Sequence, residues 1–254
     1  MNTINLGNQI WTTKNFNAST FLNGDSIPVA TTPEEFKELT SNKKACLAFF
    51  NFDERNIDYG CCYNWFAIND KRGLIPIGYK IPSKNDAKIL LDNFIGSYRN
   101  DYEVRLDKSL QEKLWLLNQS FSNSLKDKST WEESCSKDVN SEELNFNAEA
   151  LGSISTASKF NFGWVGVSFS VWLSDKDSKY RWSIVIQENK ISINGVPYKD
   201  GDLGRFIRLI KLDDAYKEDE TTIGTKVWMK KNLNVDTFQN GDRILEVTSD
   251  EEWQ

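Results

Sequence analysis

The chain has 254 residues, a formal net charge of −6, a pI near 5.0 and no histidine. This acidic balance argues against nucleic acid as the main partner, because phosphate contacts need a basic face. The absence of histidine excludes Ser-His-Asp and Cys-His catalysis. With 39% hydrophobic and 27% charged residues, the composition is typical of a globular protein and not of a disordered one.

The beginning of the chain predicts a strand hairpin and then a helix. Asn23-Gly24 tolerates the positive φ angles of a tight turn, so we predict a strand near 8–22 that reverses into one near 26–30. Thr32 is the expected N-cap of the helix and Glu35 completes a capping box. No signal peptide precedes these elements and no apolar run approaches the roughly 20 residues of a membrane span, so we expect no signal-dependent export and no membrane insertion.

The middle of the chain predicts further elements of both kinds. A strand is expected to place Tyr59, Cys61, Tyr63 and Trp65 on one face. A clear helix follows Ser83, which acts as its N-cap, and its apolar positions repeat at helical spacing. These apolar positions are Ala87, Leu90, Leu91 and Phe94. Another helix is predicted within 109–121.

The last third alternates apolar and polar residues, as half-buried antiparallel strands do, in segments 164–175, 180–195 and 204–212. The fold class is therefore α+β, with early helices and a late antiparallel sheet. The four cysteines are expected to be buried free thiols, with disulfide, metal and redox roles as the alternatives. They are Cys46, Cys61, Cys62 and Cys135.

The beginning of the chain is repeated near its end. Trp228 matches Trp11, and at the same spacing the segment Asn240–Asp242 matches Asn23–Asp25. A repeat with so long a period predicts tandem domains and not a solenoid, whose units have roughly 20–50 residues. We predict a first domain at 1–212, an acidic linker at 213–222 and the N-terminal part of a second domain at 223–254. Either the natural chain continues past Gln254 or a partner completes the second fold.

Six motifs follow one another in a fixed order. They are WTTKNFNASTFLNGDSIP, YGCCYNWFAIND, PIGYKIPSKNDAKILL, FNAEALGS, VWLSDKDSKYRW and GRFIRLIKL. The series resembles the Fibrobacter succinogenes major paralogous domain over about 5–212, with a second copy beginning at 223. The resemblance implies a C-type-lectin-like architecture, a ligand-binding role at a surface and no enzymatic activity.

A lectin-like scaffold places its ligand contacts on loops over a rigid core. The loops expected to do so are 173–181 and 194–204, where aromatic and planar polar side chains suit sugar or protein contacts. The alternative is a solvated turn cluster above a core that contains Trp172 and Trp182. The candidate ligand-binding residues are Asp175, Asp177, Lys179, Tyr180, Arg181, Asn194, Tyr198, Lys199 and Asp202.

No catalytic residue, metal site or cofactor is expected. The carboxylate pairs Asp175/Asp177 and Asp213/Asp214 are interpreted as turn and linker residues, and the ligand spacing of an EF-hand calcium loop is missing. There is also no phosphate loop and no dinucleotide fingerprint.

A surface-binding family without an export signal fits a phage structural protein, because virions leave the cell by lysis. The leading hypothesis is a virion-associated fibre or surface-decoration protein of a tailed phage, which docks on the particle and attaches to a host glycan or protein. Its expected partners are other virion proteins and further copies of itself, with localisation in the virion. The alternative is a bacterial cell-surface adhesin or lipoprotein.

Overall fold

The computed structural model describes residues 1–95, 120–135, 144–155, 158–176, 180–187, 190–197, 204–212, 220–223 and 226–229. The chain divides into two compact units, Met1–Leu212 and Asp213–Gln254. In the first unit, short helices combine with sheets whose strand pairs are antiparallel, which confirms the α+β class.

The first sheet joins the beginning of the first unit to its end. Its strands are β1 (Thr3–Leu6), β2 (Gln9–Thr12), β5 (Tyr79–Lys80) and β12 (Ile210–Lys211), in the order β1-β2-β12-β5. The central contact pairs Ile210 with Trp11, whose side chain is fully buried.

The predicted hairpin around Asn23-Gly24 is wrong in its extent. The chain does turn there, with Gly24 at φ 91°, but the flanking segments form only an isolated bridge between Thr20 and Ser26. The hairpin of the first sheet reverses instead at Gly7, at φ 62°. The backbone hydrogen bonds explain the difference: the N–H of Phe16 donates to the carbonyl of Ile207, and that of Leu22 to the carbonyl of Gly73. The segment before the turn therefore pairs with other parts of the chain and not with the segment after it.

The first helix, α1 (Pro33–Ser41), begins where the capping box predicts. The backbone N–H of Glu35 donates to Thr32 Oγ1 over 3.2 Å. The return bond is shifted by one residue, since the Glu35 carboxylate accepts from the N–H and the hydroxyl of Thr31, both at 2.8 Å.

Two more helices follow. α2 (Trp65–Ile68) interrupts the predicted strand, because the Asn64 carboxamide oxygen accepts from the N–H of Ala67 over 2.9 Å and starts a helix at Trp65.

α3 (Lys84–Ile95) confirms the second predicted helix, with the Ser83 hydroxyl as its cap. The buried residues of α3 include Ala87, Leu90 and Leu91. Of the helix predicted within 109–121, only 120 and 121 are described; both are helical, as are 122–124.

The second sheet has five short strands in the order β3-β4-β11-β6-β7. They are β3 (Leu47–Phe49), β4 (Cys61–Asn64), β6 (Ser153–Ile154), β7 (Phe162–Gly163) and β11 (Gly204–Arg205). The predicted segment 204–212 contributes β11 and β12 to the first two sheets and not to the late antiparallel sheet. The third sheet is this late sheet, ordered β10-β9-β8, and it contains parts of the predicted segments 164–175 and 180–195, the second of which forms two strands. Its strands are β8 (Ser168–Lys176), β9 (Tyr180–Gln187) and β10 (Lys190–Pro197).

All four cysteines are buried and free, as predicted. Burial raises the pKa of Cys46 to about 12 and that of Cys61 to about 11. Because the thiolate is the reactive form, thiols with raised pKa values in the core act as small apolar side chains.

A buried arginine connects distant parts of the first unit. The Arg208 side chain, which is fully buried, donates from Nε to Asn15 Oδ1 over 2.8 Å. Its two terminal nitrogens donate to three backbone carbonyls at 2.6–3.1 Å. These carbonyls belong to Thr12, Phe146 and Asn147. The guanidinium therefore fixes the first strand hairpin to the segment around Phe146.

The second unit is described only as a hairpin of β13 (Glu220–Ile223) and β14 (Lys226–Met229). Its pairing repeats that of β1 and β2 residue for residue: Thr221 pairs with Trp228 as Ile4 pairs with Trp11. The hairpin begins at Glu220, inside the segment predicted as a linker. The rest of the predicted second copy lies outside the described residues.

Candidate functional site

The predicted ligand-binding residues are only partly described. Those that lie outside the described residues are Asp177, Lys179, Tyr198, Lys199 and Asp202. The other four are in strands and not in loops: Asp175 in β8, Tyr180 and Arg181 in β9, and Asn194 in β10. Strand structure extends into the predicted loop 173–181 because β8 and β9 still pair at Lys176 and Arg181, beyond a register shift after Trp172.

Arg181 is not a surface contact. Its side chain is 4% exposed, and its guanidinium lies 5.9 Å from the ring centre of Trp65 and 6.0 Å from that of Phe66. Cation–π contacts of this kind stabilise a buried guanidinium. The structure therefore assigns Arg181 to the core, opposite to its predicted role.

Asp175 and Tyr180 meet at one end of the third sheet, together with two residues that the sequence did not nominate. The Lys84 ammonium lies 3.5 Å from the ring centre of Trp182, and the ring of Tyr180 is 5.8 Å from the same indole. The Asp175 carboxylate accepts a hydrogen bond from the backbone N–H of Lys84. We call these four residues, Lys84, Asp175, Tyr180 and Trp182, the sheet-end cluster.

Local sequence explains how the strands form this cluster. Tyr180 and Trp182 are two residues apart on β9, so they share one face of the sheet. Gly195 is opposite Trp182 on β10, and a β-carbon there would lie 3.1 Å from the indole. The glycine thus lets the ring lie close to the neighbouring strand. Asn194, the last described candidate, pairs with Ser183 and is exposed, on the other face of the strand.

The sequence could have indicated Trp182 but not Lys84. A tryptophan between polar residues in an alternating strand, opposite a glycine, is a local signal. Lys84 is the first residue of a helix far away in the chain. Hydrogen bonds from the N–H of Lys84 to the Asp175 carboxylate and from the N–H of Ser174 to the carbonyl of Pro82 join the start of this helix to β8.

A second surface feature lies elsewhere on the first unit. It is an open cleft of about 600 Å³, which we call the Phe52 cleft. Its lining includes Val29, Thr31, Phe52, Asp53, Glu54 and Arg55. A cleft of this size is within the range of small-molecule sites.

The backbone beside the cleft is strained. Asn51 and Phe52 both have left-handed conformations, with φ of 53° and 59°. Asparagine tolerates this region, but for a bulky residue such as phenylalanine it costs about 1–3 kcal/mol. Two hydrogen bonds to the carbonyl of Phe50 hold the turn, from Asn56 Nδ2 at 2.9 Å and from the N–H of Asp53 at 3.3 Å.

Asp53 and Arg55 form a bidentate ion pair beside Phe52, with nitrogen–oxygen distances of 2.5–3.0 Å. Hydrogen bonds from Arg55 hold the pKa of the Asp53 carboxyl below its usual value. The carboxylate is therefore ionised at neutral pH, and the pair offers hydrogen-bond acceptors and donors side by side.

The groups with large pKa shifts lie away from both features. Burial raises the pKa of Glu149 to about 7 and lowers that of Lys126 to about 8. Glu149 accepts a hydrogen bond from Asn15, and Lys126 donates to the carbonyl of Cys135. In the described ranges no three His, Cys, Asp or Glu side chains are grouped as metal ligands, and no described helix has the length and hydropathy of a membrane span.

Comparison with known protein families gives a match over the region that contains the six motifs. No curated protein and no solved structure matches the chain significantly. The family model described as the Fibrobacter succinogenes major domain matches residues 4–211, which is nearly all of the first unit. The chain therefore belongs to the Fibrobacter succinogenes major domain family.

Proposed function

We propose that the protein is a non-enzymatic binding module with a C-type-lectin-like fold. In this proposal it is a virion-associated fibre or surface-decoration protein of a tailed phage, which docks on the particle and attaches to a glycan or protein on the host surface. The mixed helices and antiparallel sheets support the fold, and the family resemblance supports the binding role.

The sheet-end cluster is the observation that carries the proposal. It combines an ammonium group, an indole and a phenol that is 39% exposed. Aromatic and cationic side chains together supply large contact areas and charge-assisted hydrogen bonds, which recur in binding surfaces. The paired strands β8, β9 and β10 form a rigid support for them.

The second hairpin supports a repeated module. The pairing of β13 with β14 matches that of β1 with β2, which supports the predicted second copy of the domain. Tandem modules gain avidity, since binding of one copy raises the effective concentration of the next. This arrangement suits a protein that attaches a particle to a cell.

Lys84→Ala is expected to weaken binding of the purified chain to its receptor by about tenfold, because an ammonium contact to a polar ligand is lost. Binding is measured on a glycan array and on intact bacterial cells of several strains. Lys71→Ala is the matched control, since Lys71 is an exposed lysine outside the cluster. Equal binding by the Lys84 and Lys71 variants would remove the cluster from the proposed site.

The virion assignment has its own test. We expect mass spectrometry to detect the protein in purified particles of the phage that carries the gene. Detection in the cell-surface fraction of a bacterium, without any particle, would replace the fibre by the adhesin. Absence from both fractions would refute a surface role.

A further inference from the structure

We propose that the Phe52 cleft binds a neutral saccharide, with the sugar ring stacked on Phe52 and its hydroxyl groups bound by the Asp53–Arg55 pair. This site is separate from the sheet-end cluster, with which it shares no residue. The inference rests on the proposed binding function and specifies a ligand class for it.

The ring of Phe52 is held firmly enough to serve as a platform. It packs edge-on against Phe162, with ring centres 5.5 Å apart, and Phe162 in turn contacts Phe50 at 5.3 Å. Phe50 also packs against Tyr59 at 5.5 Å. Phe52 is half-buried and lines the cleft, so part of the residue is open to a ligand. An aromatic face carries partial negative charge that attracts polarised C–H groups. The face of a pyranose ring presents such C–H groups.

The polar groups beside Phe52 match hydroxyl groups. A sugar hydroxyl both donates and accepts, and adjacent hydroxyls need acceptors and donors next to each other. Asp53 supplies carboxylate oxygens, and Arg55 uses only its Nε and one terminal nitrogen in the ion pair. The guanidinium has five N–H donors, so it retains donors for a ligand. The Arg55 side chain is 86% exposed, which makes those donors accessible.

The charge of the cleft selects against anions. Asp53 neutralises Arg55, and Glu54 adds a further negative charge to the lining. A phosphate or an acidic sugar would have to approach two carboxylates and one cation that is already paired. A neutral ligand meets no such repulsion.

The strained turn fixes the position of Phe52 in the wall of the cleft. Phenylalanine at φ 59° persists only where the surroundings hold it, and here two hydrogen bonds to the Phe50 carbonyl do so. The same turn sets Phe52 and the ion-paired Asp53 side by side in the lining. Strain that positions an aromatic ring next to a polar pair, at the wall of a cleft of about 600 Å³, is typical of pre-organised binding sites.

Isothermal titration calorimetry of the full chain with methyl glycosides tests the proposal. The probes are methyl glucoside, galactoside, mannoside and N-acetylglucosaminide, with methyl glucuronide as the anionic comparison. We expect at least one neutral glycoside to bind, and Phe52→Ala to weaken that binding by about tenfold or more. Phe52→Tyr keeps the ring and is expected to retain binding.

Two further variants make the test independent of folding. Arg55→Ala changes an exposed side chain and is expected to weaken binding about fivefold through lost hydrogen bonds. Lys71→Ala, at an exposed lysine outside the cleft and the sheet-end cluster, is expected to leave glycoside binding unchanged. Circular dichroism verifies that each variant is folded.

Three outcomes would overturn the proposal: no neutral glycoside binds, the glucuronide binds at least as tightly, or the Phe52→Ala and Arg55→Ala variants bind like the unmodified chain. Loss of cell binding by Lys84→Ala in any of these cases would leave the proposed function intact. A chain that binds neither glycosides nor cells would refute both.

Discussion

Arg208→Ala is expected to lower the free energy of unfolding by about 3–5 kcal/mol. The substitution removes one side chain and leaves four acceptors, three of them buried and that of Asn147 partly buried, without their donor: Asn15 Oδ1 and the carbonyls of Thr12, Phe146 and Asn147. It also opens a cavity between the rings of Phe146 and Phe169, which lie 4.8 and 5.5 Å from the guanidinium. Chemical denaturation monitored by tryptophan fluorescence measures the loss.

Arg208→Lys separates the effect of charge from that of geometry. Lysine retains the positive charge but cannot reach four acceptors with a planar fork, so we expect it to recover only part of the lost stability. Arg55→Ala, at an exposed arginine, is the control and is expected to leave the denaturation midpoint unchanged. An Arg208→Ala chain as stable as the unmodified chain would show that the network contributes nothing net.

Glu149→Gln is expected to stabilise the first unit at pH 8 by about 2–3 kcal/mol and to have almost no effect near pH 4.5. Burial raises the pKa of Glu149 from 4.5 to about 7, against the smaller opposing effect of Arg208. Between these two values the folded protein binds more protons than the unfolded chain, so this group's contribution to stability falls as pH rises. Above pH 7 the cost of the buried charge is fully present, and glutamine removes it.

The difference in free energy of unfolding between the unmodified chain and the Glu149→Gln variant, taken at the same pH, isolates the contribution of Glu149. Several carboxyls with lowered pKa values, among them Asp70 and Asp86, act in the opposite direction, but they are common to both chains. Denaturation curves at pH 5, 6, 7 and 8 are expected to diverge progressively. A constant difference over this range would show that Glu149 does not titrate there in the folded state.

Sequence reasoning succeeded where the determinants are local. The caps of α1 and α3 follow from residues within one helical turn. Alternation along the chain predicts β8, and it predicts strand structure over 180–195, which forms two strands, β9 and β10, and not one. The strand predicted from Tyr59 to Trp65 is confirmed over Cys61–Asn64 and is wrong at both ends, since Tyr59 lies in a 3-10 helix. At Trp65 it is wrong because one side chain, that of Asn64, caps a helix there. Alternation alone does not reveal such a competing hydrogen bond.

The candidate sites depend on contacts between residues that are distant in the chain. Arginine is usually exposed, so the sequence places Arg181 on the surface, but Trp65 and Phe66 provide its side chain with a buried aromatic environment. Lys84 reaches Trp182 only because a helix and a strand pack together. Phe52 has a left-handed backbone conformation, which phenylalanine disfavours, so the conformational propensity of the residue does not predict this turn. Only the packed structure specifies these positions.

The contact of β2 with β12 has a consequence for how the first unit folds. Trp11 is made early in synthesis, and its partner Ile210 comes almost at the end of the unit. Closing so long a loop costs entropy before any contact repays it, and folds rich in such contacts form slowly. During synthesis on the ribosome, β2 therefore cannot pair with β12 until almost the whole unit has been made. The unit completes its first sheet only after Lys211 has left the exit tunnel.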